Sequence, residues 1–374
     1  MPNRNQARVS FVSTDIAIIG AGIAGASLAA MIGNRARCVM IEAESQPGYH
    51  STGRSAAFWS ESYGGPAVQP LTSASRPWLE QGGFLSPRGC IHIADAEGAS
   101  ALAALTEEMA ICGVAHQYLD RNGLEAAIPG LRPSFARAIV EPSCRDIDVA
   151  ALHRNFLNMA KHSGTALLTD TEVTGIARRA DGWRIFTRAG EIGAAHVVNA
   201  AGAWADTIAA MAGAGAIGIQ PYRRTIAQLT TDPPVASDMP LIMDALGRFY
   251  FKPESGGRLW LSPHDETPVV PHDVAPEELD VAIAIDRFER AVDWRVVRRE
   301  RAWSGLRSFA PDRLPVYGYD TQVPGFFWFA GQGGFGIQTA PAAAMLGAAL
   351  LLGEVPPHPV AGLDPARYSP ARFA

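Results

Sequence analysis

Cysteine is scarce in this chain: Cys38, Cys90, Cys112 and Cys144 are the four in 374 residues, and no two form a CxxC pair. That excludes a disulfide framework and a cysteine-built zinc site, and it fits a reducing compartment. Charge is thin as well, at 18% of residues. The net charge of −5 is spread without blocks of one sign, which argues against nucleic acid as a partner. Lysine is nearly missing, since only Lys161 and Lys252 occur among the 32 basic residues, a bias that reads mostly as composition. No apolar run reaches bilayer length; the longest, residues 340–352, contains a proline and a glycine. The polar start, Met1-Pro2-Asn3-Arg4-Asn5-Gln6, lacks a signal-peptide pattern, so a cytoplasmic protein without a transmembrane segment is expected. There is no HExxH, no Walker lysine and no GxSxG, and the nine histidines are scattered, which predicts no metal site.

The chain has glycine in quantity (37 residues) and enough apolar residues (48%) to fill a large core, and its length suits two domains. The first glycines are informative. Asp15-Ile16-Ala17-Ile18-Ile19 reads as a buried strand, Ala26 to Met31 as a helix, and Arg37 to Ile41 as a second strand ending at Glu42. Between them lies Gly20-Ala21-Gly22-Ile23-Ala24-Gly25, a GxGxxG. Gly20 permits the tight turn, Gly22 lets the backbone approach a pyrophosphate, and Gly25 lets the helix lie close on the strand. Glu42 would accept hydrogen bonds from ribose hydroxyls and disfavour a 2′-phosphate. This fingerprint predicts a bound dinucleotide without saying which one.

The chain does not continue as a simple nicotinamide dehydrogenase would, in alternating strands and helices. Residues 48–57 form a polar loop rich in small donors. Residues 172–176 open a meander with a hairpin signal at Asp181-Gly182, and His196 to Asn199 is a buried strand. Near the C-terminus Phe326 to Ala330 is another buried strand. It enters Gly331-Gln332-Gly333-Gly334-Phe335-Gly336 and a helix starting near Ile337. A second glycine loop at a helix start supplies N–H donors and a positive dipole end, suited to the negative charge of a reduced flavin. Residues 220–229 read as a strand, residues 248–252 and 258–261 as a hairpin, and residues 277–293 as a charged helix after a loop at 268–276.

Residues 20–25, 46–57, 198–204, 303–309 and 331–339 together make the chain resemble the D-amino-acid oxidase/dehydrogenase family of FAD flavoproteins, its D-arginine dehydrogenase branch most of all. The resemblance runs from about Asp15 almost to the C-terminus. It implies an α/β (α+β overall) architecture: a Rossmann-type FAD-binding domain from residues 10–81, 147–215 and 302–374, interleaved with an antiparallel-sheet substrate-binding domain from residues 82–146 and 216–301. It implies FAD held by Gly20, Gly22, Ile23, Ala24, Gly25, Glu42, Ser51, Thr52, Gly53, Ser55, Ala56, Ala57 and Val173. Ala200, Gly202, Trp204, Gly331, Gly333, Gly334, Gly336, Ile337, Gln338 and Thr339 complete that set.

The implied reaction is hydride loss from Cα of a D-amino acid to flavin N5, giving an imino acid and then a 2-oxo acid and ammonia. Such chemistry depends mainly on orientation. The resemblance implies that Arg307 and Arg224 clamp the substrate carboxylate, with Tyr250 as a further donor. It also implies that the Gly334 carbonyl faces the amine and that Tyr63 sits on a mobile lid. Strand alternation sends Arg223 and Arg224 to opposite faces, so only one can reach the site. Phe58, Ser60, Cys90 and Met243 are expected in the substrate pocket. Two of these depart from the D-arginine dehydrogenase pattern, which has His where Phe58 stands and Glu where Cys90 stands. Without that Glu a cationic side chain would lose its partner, so a neutral, apolar one is expected. The electron acceptor is a quinone-type carrier or oxygen, with a dehydrogenase favoured. A 2-hydroxy acid or a secondary amino acid of the sarcosine or proline type is the alternative substrate. A non-catalytic dinucleotide-binding redox sensor is the remote one.

Overall fold

The computed structural model describes residues 9–374; the polar segment Met1 to Gln6, on which the leader-sequence reading rested, lies outside them. Two large sheets dominate. The first has eight strands, in the order Val173–Arg179, Gly182–Thr187, Gly190–Asn199, Val9–Ile19, Cys38–Ile41, Ala166–Leu168. Phe326–Ala330 joins it parallel to Gly190–Asn199, and Val316–Tyr319 pairs antiparallel with Phe326–Ala330. Val9–Ile19 is parallel to both of its neighbours. Ile16, Ala17 and Ile18 are buried from both faces, which explains their continuous apolar run. One face is covered by the helices Ile23–Ile32 and Gly336–Leu352, which pack on each other through Leu28, Ala342 and Leu346. Gly347 makes that approach possible, since a Cβ there would lie 2.5 Å from the Phe329 ring. The apolar run near the C-terminus is thus a buried helix, and no helix among the described residues is long and apolar enough to cross a membrane.

The second sheet has nine strands, in the order Thr267–Pro268, Gln220–Asp232, Arg258–Ser262, Tyr250–Glu254, Leu241–Asp244, Cys90–Ala94, Arg137–Glu141, Gln117–Leu119, with Arg295–Phe309 on the other edge of Gln220–Asp232. It is antiparallel, as expected, except where Leu241–Asp244 runs parallel to Cys90–Ala94. Helix Glu278–Ala291 buries Val281, Ala284, Phe288 and Ala291 against it, a one-sided stripe at helical spacing. A small third sheet of Phe58–Trp59, Arg145–Ile147 and Leu85–Pro87 lies beside the two. Most strands of the first sheet fall in residues 10–81, 147–215 and 302–374. The segment edges at 301/302 and 146/147, however, fall inside the strands Arg295–Phe309 and Arg145–Ile147.

The fingerprint turn is the tightest packing point. A Cβ on Gly25 would stand 1.9 Å from the Gly20 carbonyl oxygen, which belongs to backbone that cannot yield. Gly25→Ala should therefore destabilise the fold by about 3 kcal/mol, the upper part of the range for overpacking. The midpoint and slope of urea unfolding at pH 7 measure the loss.

Candidate active site

Strand Val9–Ile19 delivers the chain to Gly20, whose φ of 101° few other residues adopt, and a Cβ there would meet the Ala200 carbonyl at 2.5 Å. Helix Ile23–Ile32 then starts with no side-chain cap at Gly22. Polar groups from three other segments fix the turn. Ile23 N–H donates to Thr52 Oγ1 (3.0 Å), Ala21 N–H donates to Glu42 Oε2 (2.9 Å), and the His153 Nε2–H donates to the Ala21 carbonyl (2.9 Å). Burial pushes the His153 pKa down, which keeps that imidazole neutral. Glu42 also accepts from Glu44 N–H at 3.0 Å, so its carboxylate shapes the turn as well as facing the cleft.

Above this turn opens a cleft of about 530 Å³. Gly20, Gly22, Ile23, Ala24 and Glu42 line one part of it, with Ser51, Thr52, Ser55, Val173, Ala200, Gly202 and Trp204 along its walls. Gly333, Gly334, Gly336 and Ile337 line its other end. Seven expected residues do not line it, and four of those line neither this cleft nor the second cavity. Gly25 is packed beneath Gly20, and Gly53 lies against the Gly48 carbonyl. Gly331 lies against Val316 and Ile219, and Thr339 donates to the Phe335 carbonyl inside its helix. Ala56, Ala57 and Gln338 line a second, smaller cavity instead. Glu44, His50 and Thr171 also line the cleft but carry no motif of their own. Thr171 was findable, because it follows strand Ala166–Leu168 at the carboxyl end of a parallel sheet, where ligands bind.

The residues present fit a flavin dinucleotide. Two helix starts, at Gly22 and Phe335, meet the cleft with no cap from their own N-cap side chains, and apart from Ile23 N–H, which Thr52 engages, their first-turn N–H groups are available to negative charge. Gly22 leaves the backbone bare where a phosphate would approach, and the acids Glu42, Glu44 and Glu172 stand where a 2′-phosphate would be repelled.

The second cavity holds about 20 Å³ and is lined by Phe58, Tyr63, Arg224, Tyr250, Arg307 and Gly334 among others. Arg307 and Gly334 border both spaces. The two arginines come from the strands Gln220–Asp232 and Arg295–Phe309, where Tyr222 pairs with Arg307 and Arg224 with Gly305. That register puts Arg224 and Arg307 on one face as diagonal neighbours. Arg223 points the other way, to Glu277 (2.8 Å) and Asp280 (2.7 Å) on the helical side.

Arg224 is buried and donates from Nε to the Asp265 carbonyl (2.8 Å) and from a terminal nitrogen to Glu266 (3.2 Å). Burial works against its charge, but neighbours including Asp265 and Glu266 outweigh that and raise its pKa. Arg307 has no such support: it is 8% exposed, and no hydrogen bond or ion pair engages its guanidinium among the described residues. Burial and then the Arg224 charge push its pKa down. Burial pushes the Tyr250 hydroxyl up, against the pull of both arginines.

Phe58 forms an aromatic wall with Tyr63 (5.1 Å between ring centroids) and Tyr250 (6.1 Å). Cys90 and Met243 sit behind that wall, packed with Leu241, Cys144 and Tyr250, and do not line the cavity. Ser60 is turned away to Glu141. Sequence reasoning missed His264, which is half-buried at a φ of 56°, donates from Nδ1 to the Gly247 carbonyl (3.0 Å) and lies edge-on to Tyr250. A non-glycine residue in that conformation occurs chiefly where the surroundings enforce it.

Burial, then the Arg224 charge, lowers the His264 pKa to about 3 from the ordinary 6.5. The unfolded chain therefore binds more protons between those values, so the contribution of His264 to stability is complete above pH 6.5 and is lost as the pH falls towards 3. At pH 5 the loss amounts to about 2 kcal/mol relative to pH 7. In His264→Asn, which tolerates the backbone, urea unfolding at the two pH values should differ by that much less.

A family model described as FAD dependent oxidoreductase matches residues 15–350. Hydrogen cyanide synthase subunit HcnC of Pseudomonas aeruginosa is 28% identical over 258 residues, covering 68% of this chain and 60% of that protein. Mitochondrial dimethylglycine dehydrogenase of Mus musculus is 28% identical over 251 residues, covering 62% of this chain and 28% of the relative. The chain thus spans less than two thirds of either relative's length. Among solved structures, glycine oxidase from Geobacillus kaustophilus superposes with a TM-score of 0.83 at 24% identity, over 96% of this chain and 98% of that one. L-Proline dehydrogenase from P. horikoshii gives 0.83 at 23% identity, over 97% and 98%. Both share its fold. The family match runs through the fingerprint turn, both arginine strands and the second glycine loop, and the chain belongs to the FAD dependent oxidoreductase family.

Proposed function

We propose that this protein oxidises the Cα–N bond of an amino acid whose carboxylate is held by Arg307, and that its substrates are D-amino acids with neutral, apolar side chains. One observation carries the reading: a buried guanidinium with no hydrogen-bond or ion-pair partner among the described residues, at the junction of the cofactor cleft and a small aromatic-walled cavity. An unpaired buried charge costs several kcal/mol, and a carboxylate accepting two parallel hydrogen bonds offsets that cost. The same feature weighs against a non-catalytic sensor, which needs no second anion beside its dinucleotide.

FAD, when bound, supplies the acceptor for the electron pair. The chain's own groups do the rest. Arg307 and Arg224 fix the carboxylate, and the Tyr250 hydroxyl donates a further hydrogen bond. The Gly334 carbonyl faces the amine, while Phe58 and Tyr63 keep water from the reacting carbon. The imine product then hydrolyses to a 2-oxo acid and ammonia. A quinone-type carrier is the favoured final acceptor, with oxygen as the other.

The neutral side chain follows from the cavity wall. Phe58 belongs to that wall and Cys90 stands behind it; Glu141, on the strand paired with Cys90, already accepts from Ser60, Ser62 and Glu61, and Glu266 accepts from Arg224 and Arg313. Among the described residues no carboxylate lines the cavity to pair with a cationic tail. A secondary amine is the second reading, favoured by the L-proline dehydrogenase among the similar proteins.

Anaerobic mixing with panels of D- and L-amino acids, N-methyl amino acids and 2-hydroxy acids, followed by flavin absorbance, separates these readings. D-Leucine, D-methionine and D-phenylalanine should bleach the flavin well ahead of D-arginine and D-lysine. The opposite order sinks the neutral-side-chain reading, and bleaching by N-methyl substrates alone selects the second. Arg307→Met should slow reduction about a thousandfold, the equivalent of a broken buried ion pair, while FAD stays bound.

A further inference from the structure

Behind the aromatic wall lies a buried carboxylate that the proposed chemistry does not use. Glu141 ends the strand Arg137–Glu141 and is completely buried. Its Oε2 accepts from Ser62 Oγ (2.5 Å) and Ser60 Oγ (2.8 Å), and its Oε1 accepts from Glu61 N–H (2.7 Å) and Ser143 Oγ (3.3 Å). His92 Nε2 stands 3.8 Å away. Burial works against the charge, but His92, Ser62 and Ser60 together outweigh it and hold the carboxyl below its usual range. A fully desolvated carboxylate is an expensive way to close a core, where an aliphatic side chain would serve.

Three of the four donors are consecutive residues, and the next residue is Tyr63. The same segment is tied from the opposite side by Gln338, whose Oε1 accepts from Ser60 N–H (3.3 Å) and whose Nε2 donates to the Tyr63 carbonyl (3.0 Å). Beyond Tyr63 the chain passes through Gly64 (φ 112°) and Gly65 (φ 72°), two residues in conformations that favour glycine. One end of the segment is therefore clamped and the other is articulated, with the cavity-covering tyrosine between them.

We propose that Glu141 is a positioning residue: its carboxylate holds Ser60, Glu61 and Ser62 so that Tyr63 lies over the cavity beside Phe58 and Gly334. The inference rests on the substrate reading given above, because the effect on turnover arises only if Tyr63 covers the substrate. Its structural half stands separately. Glu141→Gln keeps the shape and removes the charge, and its amide NH₂ turns one set of acceptors into donors facing donors.

The test uses the FAD-loaded full chain. Hydrogen–deuterium exchange of residues 59–66 should rise about tenfold or more in Glu141→Gln, as expected for losing charge-assisted bonds, while helix Gly336–Leu352 stays protected. KM for D-leucine should rise by a similar factor with kcat changed less. In a Tyr63→Ala background the same substitution should leave KM where Tyr63→Ala alone puts it. Unchanged exchange in residues 59–66, or an equal rise in KM without Tyr63, overturns the proposal. If Glu141→Gln fails to load FAD, Ser62→Ala removes one donor, keeps the carboxylate and undergoes the same comparisons. The exchange measurement needs no substrate, so it decides the role of Glu141 even where the substrate reading fails.

Discussion

Two guanidinium groups held on one face of one antiparallel strand pair set the terms for the rest of the molecule. Arg224 and Arg307 are diagonal neighbours across the register in which Tyr222 meets Arg307 and Arg224 meets Gly305. A slip of one residue would send Arg224 to the helical face and bring Arg223, now paired with Glu277 and Asp280, into the cavity. The register is secured by the length of the pairing, which runs from Gln220 to Asp232, and by the acids that receive Arg223. Gly305 lets Arg54 pack close against this strand, since a Cβ there would stand 3.0 Å from Arg54 Cβ. Like charges so placed repel, and of the two only Arg224 reaches Glu266, which it shares with Arg313. The structure is left with one cation's worth of unmet demand at the mouth of the dinucleotide cleft.

That demand is coupled to the cofactor side by the end of the same strand. Ser308 forms a bridge with Gly333, whose N–H donates to the Ser308 carbonyl at 2.9 Å, so the arginine strand and the second glycine loop move as one piece. A Cβ on Gly333 would strike the Phe309 ring at 2.3 Å, and one on Gly334 would strike the Tyr63 hydroxyl at 2.7 Å. The glycines of this loop thus serve close approach between the two sheets as much as they bare a helix start. A boundary drawn between residues 301 and 302 cuts a strand for the same reason: the long edge strand belongs to both halves of the site.

How much of this the sequence reveals depends on how local each cause is. The turn from Asp15 to Glu42 is legible because strand, glycines, helix and acid act on one another within 28 consecutive positions. The opposition of Arg223 and Arg224 is legible as alternation, but which one faces the cavity depends on helix Glu278–Ala291, which sits far along the chain. Strand Arg295–Phe309 is hidden at its start, where Arg295, Arg298, Arg299 and Arg301 crowd an exposed edge and no apolar alternation marks it. Glu141 and Ser60 are 81 positions apart, and nothing in either neighbourhood announces that one will accept from the other. Cys90 and Met243 were expected in the pocket and stand one layer behind it, because Phe58 and Tyr250 occupy the inner layer.

The smallness of the second cavity ties these parts together. About 20 Å³ accommodates little more than a single water, far less than an amino acid, so under the function proposed above the cavity must widen to admit its substrate. In the proposed reading such widening takes Tyr63 away from Phe58 and Phe335, about the glycine end of its segment rather than the end bound to Glu141. While it is open, water reaches Arg307 and its pull on a carboxylate weakens; once it is shut, the same pair interacts in a drier, less polarisable setting and is stronger. If Arg307 holds the carboxylate and Tyr63 covers it, as proposed, binding and closure favour each other, because each removes the main cost of the other: the anion neutralises the buried cation, and the covered site excludes the water that would compete for it.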